Sequence, residues 1–234
     1  MFYICTRMKK INIAIDGLSG CGKSSTAKAV AKALAYRFID TGAMYRAVTL
    51  YFLQNGVDWS NAQEVEDALS EIEIDFHYNP QTGKNETILN KQNVEKEIRK
   101  MMVSDQVSSV SAVKAVRIAM VAQQQEMGRS KGVVMDGRDI GSVVFPNAEL
   151  KVFMSASTQV RAKRRKLELE EKGEIVELEE IVKNLESRDE QDSTRAESPL
   201  VKVDDAVEID TSGLQFEDQV QKVLDLARAC IDAE

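Results

Sequence analysis

The stretch Gly17-Leu-Ser-Gly-Cys-Gly-Lys23-Ser24 decides how this chain must fold. It fits the pattern G-x-x-x-x-G-K-[ST] in full, with an apolar run at residues 11–15 before it and a helical, Ala- and Lys-rich segment at residues 24–36 after it. Glycines let such a loop wrap around a phosphate, and the amino end of the following helix adds partial positive charge. The stretch therefore predicts a phosphate-binding loop between a buried strand and a helix, rather than a Gly-rich turn of no consequence.

The loop assigns roles to particular side chains. The Lys23 ammonium can reach the β- and γ-phosphate oxygens of a nucleotide, and the Ser24 hydroxyl can hold Mg²⁺. We therefore expect ATP and Mg²⁺ at this loop. The predicted ATP-binding residues here are Gly17, Leu18, Ser19, Gly20, Cys21, Gly22, Lys23, Ser24 and Ser25.

Short apolar strands alternate with helical stretches along most of the chain. The predicted strands lie at residues 11–15, 38–40, 133–136, 150–154 and 206–210, and an amphipathic helix closes the chain at residues 216–231. This order is typical of an α/β fold with a five-stranded parallel sheet covered by helices.

Two segments interrupt that order. Residues 70–97 read as alternating strand, turn and alternating strand, which predicts an antiparallel hairpin set into the parallel fold. Residues 161–183 are dense in charge around Gly173. Taken alone, their charge pattern favours two solvated helices joined at the glycine over a mobile lid.

The composition limits the classes of function. The net charge is −7, from 31 basic and 38 acidic residues, which disfavours a nucleic-acid binder. No apolar run reaches 18 residues, so we expect no membrane span and a cytoplasmic protein. The three cysteines lack the spacing of metal ligands, so we expect no disulfide and no zinc site. We expect no functional role for His77.

A phosphate loop indicates a nucleotide but not a reaction. A GTPase would need Asn-Lys-x-Asp, and the near match at residues 90–93 lacks the Asp. A kinase needs a second anion site, which three arginine-bearing stretches can supply: residues 40–46, 136–139 and 188–195. Two of them follow predicted strands, where ligands bind in open α/β sheets. A nucleotide-binding regulatory protein would not need these stretches, and another small kinase with a different acceptor stays open.

The chain resembles the bacterial cytidylate kinases from Met8 to the C-terminus. The resemblance rests on residues 15–24, on DTGAMYRA at 40–47, DGRDIG at 136–141, VVFP at 143–146, RAKRR at 161–165 and RDEQDSTR at 188–195. DTGAMYR together with DGRDIG is far more specific than the phosphate loop.

The resemblance implies a role for each matching residue. Around the acceptor phosphate it places Thr41, Tyr45, Arg46, Arg138 and Arg195; at the ribose, Arg188 and Asp192; and at the cytosine, Ser108, Arg117 and Asp139, the first two on a predicted helix at residues 103–120. The residues expected to act on the transferring phosphoryl group are Lys23, Arg138 and Arg195.

Two positions depart from the family pattern. Leu18 stands where Pro is common, which should matter little because the anion contacts of the loop are made by its backbone. Gln191 stands where Arg is common, and we expect Arg161 and Arg165 to supply the cations for the ATP phosphates instead.

The combined expectation is a P-loop three-layer α/β fold with a five-stranded parallel sheet, an inserted small antiparallel β subdomain and a helical lid. The kinase domain would span residues 8–234, with a monophosphate-binding insert at 62–113, a lid region at 158–195 and an N-terminal tail at 1–7. Because closure must exclude water from ATP, the kinase interpretation favours the lid over plain solvated helices. We expect a monomer that phosphorylates CMP and dCMP with ATP and Mg²⁺ and has no nucleic-acid or membrane partner.

Overall fold

A computed structural model describes residues 9–79, 84–171 and 173–233. The predicted tail and the tip of the predicted hairpin lie outside these ranges. The chain divides into two compact units. The first unit comprises Met1–Phe38, Gly128–Thr194 and Leu200–Glu234, and the second comprises Ile39–Met127 and Arg195–Pro199.

The described residues form eight strands and eight α-helices. The strands are β1 (Asn12–Gly17), β2 (Arg37–Asp40), β3 (Ile74–Asn79), β4 (Lys84–Leu89), β5 (Gln92–Asn93), β6 (Val133–Gly137), β7 (Leu150–Ser155) and β8 (Val207–Asp210). The α-helices are α1 (Lys23–Leu34), α2 (Thr41–Asn55), α3 (Ala62–Ser70), α4 (Met101–Ala112), α5 (Lys114–Gly128), α6 (Thr158–Glu170), α7 (Leu178–Thr194) and α8 (Phe216–Asp232).

The larger sheet has the strand order β2-β6-β1-β7-β8. Strand β1 pairs in parallel with β6 and with β7, and β7 pairs in parallel with β8. The predicted α/β class with a five-stranded parallel sheet is confirmed. Strand β1 is central, and its residues from Ile13 to Gly17 are all buried, which explains its nearly continuous apolar sequence.

The core of the first unit forms where α1 and α8 cover this sheet. Helix α8 buries Val223, Leu224 and Ala227, with Val220 packed beside them, at the spacing that the sequence predicts for one apolar face. These side chains share one cluster with strand residues such as Ile13. Burial of this helical face fixes α8 against the strands that lead to the phosphate loop.

The second unit contains a three-stranded antiparallel sheet of order β3-β4-β5. Its register pairs Ile74 with Leu89 and His77 with Glu86, so the predicted antiparallel hairpin is confirmed. The prediction of a single helix at residues 103–120 is wrong. The structure has two helices there, α4 and α5, separated by Val113 in an extended conformation. Several serines precede the break, and the Ser111 hydroxyl donates to the Ser108 carbonyl, a local bond of the kind that weakens helix interiors.

The segment around Gly173 consists of α6 and α7. Gly173 has a φ of 80°, a left-handed conformation that glycine adopts without strain. The two helices pack through a small apolar cluster of Ala162, Leu169, Ile181 and Leu185. The sequence therefore located the helices and the turn between them, and their opening and closing stays a prediction.

Close packing forbids a side chain at the end of β1. A Cβ atom on Gly17 would lie 1.9 Å from the carbonyl oxygen of Met154 on β7, and the φ of Gly17 is 142°. We expect Gly17→Ala to lower the free energy of unfolding by about 2–5 kcal/mol, the sum of backbone strain and overpacking. Urea denaturation measures it, with Gly213→Ala as the matched control, because a Cβ on Gly213 meets nothing within 4 Å. Equal effects of the two substitutions would contradict the packing argument.

Candidate active site

The phosphate loop joins the carboxyl end of β1 to the amino end of α1. Gly22 stands at the N-cap of α1 with a φ of 92°, and no side chain caps the helix. An uncapped amino end with its backbone N–H groups is a ready anion site. The buried Lys23 ammonium donates to the Leu18 carbonyl, so the loop itself holds this side chain.

Two oxygen-bearing side chains meet beside the loop. The Ser24 hydroxyl donates to Oδ2 of Asp136, the buried carboxylate on β6, at 2.6 Å. A hydroxyl and a carboxylate fit Mg²⁺, which is commonly held by one or two protein groups together with the phosphates of a nucleotide. Within the described ranges no cluster of three His, Cys, Asp or Glu side chains could hold a metal by itself.

The charges of the first unit converge around Lys23. Burial lowers the pKa of Lys23, and the positive charge of Arg138 lowers it further. The carboxylates of Asp136 and Asp16 act in the opposite direction. Two cations whose charges repel each other are stabilised by a nearby anion, so this electrostatic arrangement favours a phosphoryl group.

Arg138 follows β6 and forms an ion pair with α7. Its Nε donates to Oδ2 of Asp192 at 2.7 Å. Burial tends to lower the pKa of Arg138, but the Asp192 charge raises it above its ordinary value, so the guanidinium stays charged. The structure thus brings together two predicted CMP-binding residues, while Arg188, one turn earlier on α7, is exposed.

Asp139 begins a short π-helical turn, Ile140–Val144, and its own side chain does not cap that turn. The cap comes from Asp16 of β1, which accepts hydrogen bonds from the Ile140 and Gly141 N–H groups at 2.8 and 2.7 Å. Both carboxylates are buried. Burial raises the pKa of Asp16 to about 6, against the lowering effect of the two N–H groups.

The second unit carries its own set of predicted CMP-binding residues. The buried Arg117 guanidinium lies 5.3 Å from the centre of the Tyr45 ring, a cation–π contact. Arg46 forms an ion pair with Asp40, which also caps α2 by accepting from the Ala43 N–H group. Thr41 is buried at the start of the same helix, and Ser108 is exposed on α4.

Arg195 belongs to the short segment of the second unit that follows α7. Its Nε donates to the Ser198 carbonyl at 2.7 Å, and Ser198 has a positive φ of 51°. This bond tightens the segment around the arginine.

The arginines of α6 hold the phosphate loop. The Arg161 guanidinium is buried and donates to the Ser19 carbonyl of the loop at 3.1 Å and to Asp189 on α7 at 2.7 Å. It also donates to Ala156 and Thr158. The predicted phosphate ligand Arg161 therefore contacts the loop backbone, whereas Arg165 lies exposed and pairs with Glu168.

Sequence reasoning missed several charged residues of the site: Asp16, Arg99, Asp136, Arg164 and Asp189. Asp16 and Asp136 both stand near the carboxyl ends of buried strands, a signal that could have identified them. Arg99 shares the Asp40 carboxylate with Arg46, and Arg164 donates to the Thr211 carbonyl at 2.8 Å. Only the tertiary fold reveals these last two contacts.

The phosphate loop on a parallel sheet, with arginines and a paired serine and aspartate beside it, defines a P-loop kinase. The cytidylate kinase family model matches residues 13–229. The chain is 56% identical over 220 residues to a cytidylate kinase of Cytophaga hutchinsonii, covering 94% of each chain. It is 54% identical to one of Bacteroides fragilis (91% and 94% covered) and 53% identical to one of Flavobacterium psychrophilum (94% and 98%).

The chain belongs to the cytidylate kinase family, and it is a phosphotransferase. The resemblance that its motifs suggested is confirmed. Of the described helices, none is long and apolar enough to cross a membrane.

The raised pKa of Asp16 predicts a pH-dependent contribution to stability. The pKa of Asp16 is about 6 in the folded chain, against an ordinary value of 3.8. Its stabilising contribution to the free energy of unfolding is therefore present at low pH and is lost as the pH rises through 6. The free energy of unfolding of the wild type minus that of Asp16→Asn should fall by about 1 kcal/mol from pH 5 to pH 7.5.

Urea denaturation at the two pH values measures this difference. The control is Asp205→Asn, which removes an exposed carboxylate whose pKa is lowered by its hydrogen bond with Lys151. The contribution of Asp205 to the free energy of unfolding is already complete above pH 5. The difference in this free energy between the wild type and Asp205→Asn should therefore be the same at both pH values. An unchanged or growing difference for Asp16→Asn would contradict the assignment.

Proposed function

We propose that this chain transfers the γ-phosphoryl group of ATP to CMP and dCMP, giving CDP and dCDP in the cytoplasm. Membership of the cytidylate kinase family supports the acceptor. The observation that carries the reaction type is the buried Lys23 ammonium of the phosphate loop, together with the half-buried Arg138 guanidinium, whose charge lowers the pKa of Lys23. A nearby anionic phosphoryl group would relieve the repulsion between the two cations.

The donor nucleotide is assigned to the loop and α1. Its backbone N–H groups bind the phosphates, and the Lys23 ammonium neutralises charge on the transferring group. Ser24 and Asp136 would hold Mg²⁺, which supplies charge neutralisation on the donor phosphates when bound. Arg161 holds the loop through its hydrogen bond to the Ser19 carbonyl. The contact with the ATP phosphates is therefore assigned to Arg165.

The acceptor phosphate is assigned to Arg46, Arg138 and Arg195, as the family resemblance implies. Thr41 and Tyr45 lie on α2 with Arg46 and are assigned to the same phosphate. The planar guanidinium binds phosphate oxygens bidentately and keeps its charge. The phosphate of CMP is already anionic near neutral pH, so alignment and charge neutralisation suffice and no strong general base is needed.

The nucleoside is assigned to polar groups with complementary hydrogen bonding. Arg188 and Asp192 would meet the ribose, and the Asp192–Arg138 ion pair couples this contact to the phosphate contact. Asp139, when ionised, only accepts hydrogen bonds, and Arg117 only donates them. Cytosine offers an amino donor at C4 and an acceptor at N3, which match this pair, and uracil offers the reverse. Ser108 can serve either base.

One assay of ADP release over CMP, dCMP, UMP and AMP tests the proposal. CMP and dCMP should be the best acceptors in the presence of Mg²⁺. A preference for AMP, or for an acceptor outside this panel, would support another small kinase. Nucleotide hydrolysis without any acceptor would support a regulatory nucleotide-binding protein.

Lys23→Ala should lower turnover by on the order of 10²-fold or more, because it removes the charge that neutralises the transferring phosphoryl group. The matched control is Lys28→Ala, which removes an exposed lysine of the same helix and should leave turnover unchanged. Circular dichroism checks that both variants fold. Near-normal turnover of folded Lys23→Ala would contradict the role of the loop.

Base selectivity provides a sharper test. Each mismatched buried hydrogen bond costs about 1–3 kcal/mol, so CMP should exceed UMP at least about tenfold in kcat/KM. Asp139→Ala should reduce the CMP-to-UMP ratio of kcat/KM, mainly by lowering kcat/KM for CMP. A wild type that uses UMP as well as CMP, or a variant that keeps the full ratio, would remove the base-reading assignment and leave only the general kinase function.

A further inference from the structure

Asp16 caps a turn that begins on a different strand. Its Oδ1 accepts from the Ile140 N–H group and its Oδ2 from the Gly141 N–H group. Asp139 immediately precedes this turn, the place from which an aspartate normally caps a helix. Its side chain makes no capping bond. Asp16, and not Asp139, therefore caps this turn.

We propose that Asp16 is a positioning residue for recognition of the acceptor. By holding the first two N–H groups of the turn, Asp16 fixes the backbone that carries Arg138 and Asp139. This inference rests on the proposed function, which assigns those two residues to the acceptor phosphate and the base. Asp16 itself touches no substrate in this scheme and acts through the turn.

The surroundings of Asp16 make the contact rigid. Its backbone lies in the central strand, paired with Gly137 of β6 on one side and Phe153 of β7 on the other. Asp16 is only 6% exposed, so water does not replace the two bonds. A Cβ on Gly141 would lie 3.3 Å from Oδ2 and 3.2 Å from the Lys151 side chain, so glycine permits the close approach.

The hydrogen bonding at this position favours a carboxylate over its neutral isostere, although burial opposes the charge. Both carboxylate oxygens accept, and two N–H groups are presented to them. An asparagine has the same shape but accepts with one oxygen only, and its amino group would face the second N–H group. Asp16→Asn therefore removes one of the two bonds without leaving a cavity, and the turn loses its fixed position.

The experiment compares acceptor and donor in the same variant. Asp16→Asn should raise the KM for CMP and shrink the CMP-to-UMP ratio of kcat/KM, each on the order of 10-fold, because small displacements of substrate-positioning groups are costly. The Kd for ATP, from titration calorimetry without acceptor, should change less than about 2-fold, since the loop residues stay in place. Amide exchange should become faster at Ile140 and Gly141.

A matched control lies at the other end of the same strand. Glu149 accepts from the Asn12 N–H group at 2.9 Å, so Glu149→Gln also changes a carboxylate that caps a backbone N–H group. It should leave the CMP-to-UMP ratio and both ligand affinities unchanged. Gly141→Ala disturbs the Asp16 contact from the opposite side and should reproduce the Asp16→Asn pattern. It also carries the test if Asp16→Asn does not fold.

The outcomes separate this inference from the proposed function. If the variants lose thermal stability but keep the CMP-to-UMP ratio, Asp16 is a structural cap and the inference is wrong. If ATP affinity falls as much as CMP affinity, Asp16 acts through Lys23 and the inference is wrong again. A wild type that does not phosphorylate CMP contradicts the proposed function itself, whereas a selective wild type whose selectivity survives both substitutions contradicts only the role of Asp16.

Discussion

The structure of the first unit depends on burying charge at the carboxyl ends of β1 and β6. Asp16, Lys23, Asp136 and Asp139 are all buried there. Buried charges persist in a protein only when they are paired or fully hydrogen-bonded. Here backbone N–H groups satisfy Asp16, and Ser24 donates to Asp136. The strands, the loop and the turn after β6 must therefore keep their relative places for the charges to stay buried.

The arginines of α6 extend this constraint to the phosphate loop. Arg161 donates to the Ser19 carbonyl and to Asp189, and Arg164 donates to the Thr211 carbonyl at the end of β8. Sequence patterns assign basic residues in such a helix to the nucleotide, because a cation near a phosphate loop suggests a phosphate ligand. Arg161 is buried and Arg164 is half-buried, and their hydrogen bonds to the Ser19 and Cys21 carbonyls indicate another use: they hold the loop in shape.

Much of the fold follows from local sequence. The five strands of the parallel sheet, the hairpin of β3 and β4, and the apolar face of α8 carry periodic patterns that specify them. The break between α4 and α5 carries no glycine or proline, and the serines before it are a weaker signal for the end of a helix. In the site, motifs locate Lys23, Ser24 and Arg138, but the bonds of Asp16 to residues more than 120 positions away are tertiary contacts that no local pattern encodes.

The pairing of α6 with α7 has a thermodynamic consequence. Four buried residues, Ala162, Leu169, Ile181 and Leu185, form their own cluster, apart from the cluster that α1 and α8 share with the sheet. So small an apolar cluster contributes little free energy compared with the main core, and the first helix is anchored by Arg161 and Arg164. Helix α7 is held mainly by two ion pairs, Asp189 with Arg161 and Asp192 with Arg138, and not by a large apolar face. Because ion pairs are screened by salt, the attachment of α7 should weaken at high ionic strength while the main core is little affected, and a protease would then reach the exposed turn at Gly173 more readily.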